Sequence, residues 1–412
     1  MKSVVHIVGG KLNSGAARGA YWLHTELRNQ GIDSYLLVND SGKHEDNNII
    51  FLLNKKRYVF SNIFIRIANL LVRKTFLRKV ENIFSSGFFG YFLHKHPIVK
   101  KVDIVNLHWI NDGIISLYSI SKLNKTTFWT IRDMWPITGG CHYSMDCEQY
   151  LAKCGSCPVL KSRRSKDFSR FVFEYKKKIV KDNNINAIAI SNWVKDVVDR
   201  QGVFPQSVKV PNFIDNKEFF FDRDKYSSSS FFRILLGAQN INDFYKGFKD
   251  AIESINRLSL TLEVPIYVTT FGAVNDDLTM LFNDNVTIAQ VGFVDSSKLR
   301  EIYSSSDVFL MPSHMETFGK TTLEALACGL PVVAYDSTGP KDIVVHKCNG
   351  FLSTPYDCES LTEGLKWVYS NNTLKLKLKC ESDARKRFFA PTIGELYISE
   401  ILEDYNEKPF TQ

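Results

Sequence analysis

Two glutamates are spaced so that they could bind the hydroxyl groups of a sugar nucleotide. Glu316 follows a predicted strand, and Glu324 lies eight residues later, inside a helix that Gly319 begins. Ligands of open α/β sheets bind at the carboxyl ends of strands, facing helix N-termini, whose N–H groups attract phosphate. The carboxylates would accept hydrogen bonds from paired hydroxyls. Acidic residues near a helix start also simply complement its dipole, so the spacing alone does not decide between these interpretations.

Four cysteines form a cluster in the first half of the chain. Cys141, Cys147, Cys154 and Cys157 follow the pattern C-x5-C-x6-C-x2-C. This spacing is compatible with a tetrahedral thiolate zinc site, and four protein ligands would leave no open catalytic position. The pattern therefore predicts a structural zinc site and no catalytic metal. The alternatives are reduced cysteines that pack in a core, or disulfides formed on isolation.

Residues 54–80 alternate Lys and Arg with large apolar residues at roughly helical spacing. Such a helix can lie on an anionic membrane, with apolar side chains at the acyl boundary and cations near the headgroups. An ordinary amphipathic helix that packs on a sheet is an equal alternative.

The candidate residues must be positioned by strands and helices, and the chain contains short apolar runs separated by helical or polar stretches. This alternation predicts an α/β fold. This alternation occurs twice, with a linker near 212–230. It predicts one domain over 1–211, with a Cys-rich insert at 141–157, and a second domain over 212–390. The predicted strands are SVVHIVG, SYLLV, VDIVNLHW, TTFWTI and NAIAIS in the first domain, and FRILLGA, PIYVTTFG, VTIAQVG, DVFLMPS and PVVAYDS in the second.

The bulk composition is that of a globular protein. The 412 residues exceed one ordinary core, 44% of them are hydrophobic, and the net charge of +8 permits an acidic partner without selecting one. We expect a cytoplasmic protein, because there is neither a signal-peptide pattern nor an apolar stretch that could span a bilayer.

The segment 312–344 resembles the donor-site signature of glycosyltransferase family 4. It combines Glu-x7-Glu, an FG after the first Glu, the run EALACGLPVVA and a downstream TGPKDIV. The resemblance implies the GT-B fold, in which two Rossmann-like doubly wound domains face each other across a cleft. It also implies retaining transfer from a nucleotide sugar. Glu316 would bind hydroxyls of the donor sugar, and Glu324 those of the ribose.

A Lys-Gly pair upstream also matches this family. Lys246 would clamp the diphosphate and stabilise its charge as the glycosidic bond breaks. Ala238 and Gln239 stand where the family usually has an Arg. The loop from Gly9 to Gly15 takes the place of the family's glycine-rich loop. The donor-binding residues implied by the resemblance are Gly15, Lys246, Glu316, Thr317, Phe318, Gly319, Lys320, Thr321 and Glu324.

Residues 106–158 resemble a subgroup that makes bacterial surface polysaccharides. Arg132 stands where many members have an active-site His, so the resemblance implies Glu316, Lys246 and Arg132 as the catalytic residues. Whether His108 or His142 lies near Arg132 is left open by the sequence.

The resemblance implies hexosyl transfer from a UDP- or GDP-sugar to a saccharide hydroxyl. The acceptor would be a lipid-linked intermediate of O-antigen (lipopolysaccharide), capsule or exopolysaccharide synthesis, at the inner face of the plasma membrane. Residues 391–412 would form a helix that returns toward the N-terminal acceptor domain. The alternatives are a phosphorylase, a sugar-nucleotide epimerase or a non-catalytic sugar-binding protein. No nucleic-acid motif is present.

Overall fold

The computed structural model describes residues 2–12, 15–76, 83–227, 229–273 and 278–403. The chain divides into two compact units. One contains Met1–Pro211 together with Pro391–Gln412, and the other contains Asn212–Ala390. Each unit has its own parallel sheet. Along the chain, strands alternate with helices, as expected of an α/β fold.

In the first unit, seven strands among the described residues form a sheet in the order β3-β2-β1-β4-β5-β6-β7, and all neighbours are parallel. This order places the reversal of winding between β1 and β4, as in a doubly wound fold. The strands are β1 (Val4–Val8), β2 (Ser34–Val38), β3 (Ile49–Phe51), β4 (Ile104–Leu107), β5 (Thr126–Ile131), β6 (Asn186–Ala189) and β7 (Ser207–Lys209).

The helices of this unit connect the strands and supply its terminal segment. They are α1 (Gly15–Asn29), α2 (Lys56–Phe76), α3 (Pro97–Lys101), α4 (Leu117–Ile120), α5 (Phe168–Asp182) and α6 (Asn192–Gln201), with α12 (Ala390–Tyr397) near the C-terminus. A π-helical segment, Ile398–Glu403, follows α12. In α1, Ala20, Leu23 and Leu27 recur at helical spacing and are buried, which fixes the face that packs on the sheet.

In the second unit, six strands among the described residues repeat the same winding, in the order β10-β9-β8-β11-β12-β13, again parallel throughout. The reversal here lies between β8 and β11. The strands are β8 (Phe232–Asn240), β9 (Ile266–Ala273), β10 (Val286–Gly292), β11 (Val308–Met311), β12 (Val332–Tyr335) and β13 (Gly350–Ser353).

The helices of the second unit cover the faces of this sheet. They are α7 (Phe248–Ser259), α8 (Ser296–Ser305), α9 (Lys320–Ala327), α10 (Cys358–Asn371) and α11 (Leu374–Arg387). The core joins strands to α7 and α10 through buried residues such as Leu236, Ile255 and Leu365. The central strands β11 and β12 are buried at every position and read as continuous apolar runs, which is why they could be recognised in the sequence.

The structure corrects several predicted boundaries. The strand predicted over 102–109 covers only Ile104–Leu107, so His108 lies just beyond its carboxyl end. The terminal helix begins at Ala390, one residue before the predicted start, and α11 ends at Arg387. The helix predicted in 54–80 is observed over Lys56–Phe76, and residues 77–80 and 404–412 lie outside the described ranges. Within those ranges, every helix is too short or too polar to span a bilayer.

Candidate functional site

The reversal of winding in the second unit brings two loops to the same edge of its sheet. β8 and β11 are neighbours, and the crossovers that leave their carboxyl ends lead to α7 and α9. Lys246 immediately precedes α7 together with Gly247, and Glu316 lies in the loop between β11 and α9. Such a switch point is where doubly wound sheets bind ligands, because two helix N-termini face a space that neither crossover fills.

The two charged side chains meet at this point. The ammonium group of Lys246 donates to the Oε1 atom of Glu316, and both side chains are partly buried. The pair therefore links the β8–α7 and β11–α9 loops. Because both groups keep some exposure, each can also reach a ligand bound above the helix ends.

Each of the two loops contains a glycine with a left-handed backbone, and the one at 247 allows the loops to approach closely. Gly247 has φ 66°, and a Cβ there would lie 1.9 Å from the carbonyl oxygen of Pro312. Gly319 has φ 92° and forms the N-cap of α9. Both positions are in the left-handed region that favours glycine, and any larger residue at 247 would force the two loops apart.

The loop after β12 supports the backbone of Glu316, a feature that the sequence reasoning did not identify. The N–H of Glu316 donates to the hydroxyl of Thr338 at 3.2 Å, and the N–H of Gly339 donates to the carbonyl of Glu316 at 2.8 Å. Thr338 has φ 52°, which is strained for a β-branched residue. Strain of this kind persists only where the surroundings enforce it, and it is typical of functional loops.

Glu324 is held differently from Glu316. Its side chain is 6% exposed, and its Oε1 atom lies 3.8 Å from Nζ of Lys320, one turn earlier in α9. The hydroxyl of Tyr303 donates to its Oε2 atom at 3.5 Å. The remaining donor candidates of the second unit lie between the two glutamates: Thr317 and Phe318 are buried in the loop, and Thr321 lies in the first turn of α9.

A second polar cluster fixes α7 against the Glu316 loop and was also missed. Nε2 of His314 and the hydroxyl of Tyr335 both lie 2.7 Å from Oδ2 of Asp250, in the first turn of α7. Burial, followed by the hydrogen bond to Asp250, raises the pKa of Tyr335, so its hydroxyl remains a donor. A His two residues before Glu316 was the available sequence signal for this cluster.

In the first unit, Arg132 belongs to a buried chain of hydrogen bonds. Its Nε–H donates to Nδ1 of His108 at 3.1 Å, and Nε2 of His108 lies 2.9 Å from Nδ1 of His6. With its Nδ1 accepting, His108 carries its proton on Nε2 and donates to His6. The sequence left open whether His108 or His142 lies near Arg132, and the structure shows that His108 contacts Arg132 directly.

Both histidines of this chain are held in the neutral form. Burial, followed by charged neighbours including Arg132, lowers the pKa of His108 and of His6 well below the ordinary value. Burial also lowers the pKa of Arg132 to about 10, so the guanidinium stays charged at neutral pH. A Cβ at Gly19 in α1 would lie 2.6 Å from Nη1 of Arg132, so this glycine makes room for the guanidinium.

The other candidates in this unit have separate partners. His142 pairs with Asp133 at 2.6 Å and contacts the indole N–H of Trp109 at 3.4 Å. Gly15 is exposed at the start of α1, whereas the N–H of Gly9 donates to the carbonyl of Trp109. Residues 13–14 of the predicted glycine-rich loop lie outside the described ranges.

The cysteine cluster is not arranged as a metal site. In the described part of the chain, which includes all four cysteines, no group of three or more His, Cys, Asp or Glu residues could hold a metal ion. Cys141, Cys154 and Cys157 are buried, and burial raises the pKa of Cys141 to about 12, so its thiol is protonated. The geometry gives no support to a zinc site, which stays a prediction.

Comparison with known proteins agrees with the geometry of the second unit. Residues 239–387 match the family described as "Glycosyl transferases group 1", which supports this family for that region. An uncharacterised glycosyltransferase of Methanocaldococcus jannaschii is 29% identical over 131 residues, 31% of this chain. The match spans only about a third, 34%, of that relative's length.

Solved structures match nearly the whole chain. Sucrose-phosphate synthase from Thermosynechococcus elongatus has a TM-score of 0.64 at 17% identity, covering 97% of this chain and 99% of the other. Anabaena Alr3699/HepE, in complex with UDP-glucose, has a TM-score of 0.61 at 14% identity, covering 98% and 99%. At these identities the likeness shows the fold alone. The predicted GT-B fold, with two Rossmann-like α/β domains, is confirmed.

Proposed function

We propose that this chain is a glycosyltransferase that binds a nucleotide sugar at the switch point of its second unit. The observation that carries the proposal is the contact between Lys246 and Glu316 across the start of α7 and the loop before α9. A glycosyl diphosphate has two features that these groups recognise, a dianionic bridge and a row of hydroxyls. The family match over 239–387 includes both residues.

Each donor-site residue has a defined role in this proposal. The Lys246 ammonium and the N-terminal N–H groups of α9 stabilise the charge that develops on the leaving diphosphate. Glu316 accepts hydrogen bonds from hydroxyls of the sugar, and Glu324 from those of the ribose. Thr317, Phe318, Gly319, Lys320 and Thr321 form the loop and first turn that receive the diphosphate.

The reaction is hexosyl transfer with retention. The bond between the anomeric carbon and the diphosphate oxygen breaks through an oxocarbenium-like transition state. The acceptor hydroxyl forms the new bond on the same face, and its proton passes to the leaving diphosphate. No protein base is required. Arg132 in the first unit contacts a reacting sugar, and Gly15 belongs to the donor-binding residues.

The donor is a UDP- or GDP-sugar. Anabaena Alr3699/HepE was solved with UDP-glucose, which supports a uridine donor. The acceptor is a saccharide on a lipid carrier, used in bacterial surface-polysaccharide synthesis at the inner face of the plasma membrane. The lysine- and arginine-rich helix α2 supports the membrane location, because it carries no acidic residue between positions 56 and 76.

Release of nucleotide from a donor panel tests this function. Purified protein is incubated with UDP- and GDP-sugars, with and without a saccharide acceptor, and the products are identified. Acceptor-dependent release of UDP or GDP with a new glycoside is expected. Rearranged donor would indicate an epimerase, and sugar phosphate a phosphorylase. Binding without any turnover would leave only a sugar-binding protein.

The proposal includes no catalytic metal. Transfer should therefore survive chelation of divalent ions. A structural zinc at the four cysteines is proposed from their spacing alone, because their arrangement in the described residues does not form a metal site. Metal analysis of the purified protein tests the zinc: about one equivalent would support the prediction from spacing, and less than about a tenth would refute it.

A further inference from the structure

Helix α2 and the segment 88–92 enclose an apolar groove in the first unit. Its volume is about 900 Å³. Its lining is mainly aromatic and aliphatic, including Ile65, Leu71, Phe88, Tyr91 and Tyr118. Ligand cavities commonly have volumes of ~300–1,000 Å³, so the groove is large enough for an extended hydrophobic chain.

The groove is continuous with an exposed apolar face of α2. Phe60 is 62% exposed, Phe64 is 73% exposed and Leu71 is 60% exposed. Phe64 and Leu71 also line the groove, whereas Phe60 and Ile63 belong to the exposed face without lining it. Scattered exposed apolar residues are ordinary, but a contiguous set of large ones marks an interaction surface.

Cations flank the apolar face and the groove. Arg66, Arg73 and Lys74 are exposed on α2, and Arg57 and Lys95 line the groove. Among the described residues, none on α2 and none lining the groove is acidic. Apolar side chains beside exposed cations complement one surface well, an anionic bilayer, with acyl chains under the helix and headgroups beside the cations.

We infer that the groove binds one hydrocarbon chain of a membrane lipid, taken from the bilayer on which α2 lies. The shared residues Phe64 and Leu71 give a path on which the chain stays among apolar side chains. Arg57 and Lys95 are then placed to contact an anionic headgroup, such as a phosphate. The inference rests on the proposed function in one respect: a transferase whose acceptor is linked to a lipid needs a site for a hydrocarbon chain.

Two probes separate the exposed face from the groove. Flotation with vesicles of phosphatidylglycerol and phosphatidylcholine at low salt reports on the face. Fluorescence of cis-parinaric acid, added without vesicles, reports on the groove. The wild type is expected to bind both. Phe60→Asp with Ile63→Asp should reduce flotation at least tenfold and leave probe binding unchanged.

Ala68→Trp, which fills the groove, should weaken probe binding at least tenfold and leave flotation unchanged, since Ala68 lines the groove. Ser61→Trp, at an exposed groove position, is a second filling variant in case the first does not fold. The matched control is Leu260→Asp, an exposed apolar residue of the second unit that should change neither reading.

Probe binding that both filling variants retain would overturn the inference, as would a wild type that does not bind the probe. Neither measurement requires turnover or a nucleotide sugar. The two measurements can therefore refute lipid binding in the groove without bearing on the proposed transferase activity.

Discussion

The ammonium of Lys246 contacts the carboxylate of Glu316, a residue 70 positions later in the chain, where the winding of the second sheet reverses. The contact has a consequence for binding. A diphosphate that approaches Lys246 competes with Glu316 for the same donor, while a sugar attached to that diphosphate gives Glu316 new hydroxyl partners. In the proposed transferase, the pair would therefore favour a nucleotide sugar over a free nucleotide.

Replacing Glu316 should affect these two ligands in opposite directions. In Glu316→Gln the ammonium loses its ionic partner, so UDP or GDP should bind about fivefold more tightly, equivalent to roughly 1 kcal/mol. Transfer from the nucleotide sugar should fall by about 10²-fold, since a charge-assisted contact to the sugar is lost. Calorimetric titration and initial rates measure the two effects. Glu253→Gln, an exposed glutamate of α7 that pairs with Arg257, is the control. Weaker UDP and GDP binding by Glu316→Gln would contradict the competition.

Glu324 should act on binding more than on the chemical step. Its carboxylate is buried and lies near Lys320 and Tyr303, so Glu324→Gln keeps the shape of the site but removes the charge. We expect KM for the nucleotide sugar to rise about tenfold with little change in kcat, because a contact to the ribose is equally strong in ground and transition states. Steady-state kinetics measures both constants. A fall in kcat with an unchanged KM would refute the ribose assignment.

His108 should act as a positioning residue for Arg132. A Gln at 108 can still accept the Nε–H of Arg132, and a Leu cannot, so His108→Leu should lower kcat about tenfold while His108→Gln retains most activity. If the effect passes through the guanidinium, Arg132→Gln and the double variant Arg132→Gln/His108→Leu should have equal rates. Additive losses in this cycle would show that His108 acts independently of Arg132.

Lys176 should make stability depend on pH. It is buried, and its ammonium donates to the carbonyl of Trp135; burial lowers its pKa to about 7. The unfolded chain, with the ordinary lysine pKa of 10.5, binds more protons between these two values. The contribution of Lys176 to the free energy of unfolding should therefore rise as the pH increases above 7. The slope should approach about 1.4 kcal/mol per pH unit.

Urea unfolding at pH 7, 8 and 9 measures this slope. Lys176→Met should lose the rise, whereas Lys178→Met, at an exposed position on the same helix, should keep the slope of the wild type. Identical slopes for all three proteins would exclude a neutral buried lysine.

The fold could be predicted from the sequence because fully buried parallel strands leave unbroken apolar runs. The position of Glu316 at a strand end could be predicted for the same reason. Its partner could not be identified from spacing, since the contact with Lys246 depends on β8 and β11 being neighbours. The hydrogen bond from the Glu316 N–H to Thr338 depends on a positive φ at Thr338, which a threonine in the sequence does not predict. The contact between His6 and His108 likewise requires the parallel pairing of β1 with β4.

Equilibrium binding of a UDP- or GDP-sugar to the wild type, Lys246→Met and Lys249→Met tests the central claim most directly. Lys249 is an exposed lysine in the first turn of α7, the helix that Lys246 precedes, and is the matched control. The account predicts that Lys246→Met binds the nucleotide sugar at least about 10²-fold more weakly, while Lys249→Met binds like the wild type. Equal affinities for all three folded proteins, or no binding of either nucleotide sugar by the wild type, would contradict it.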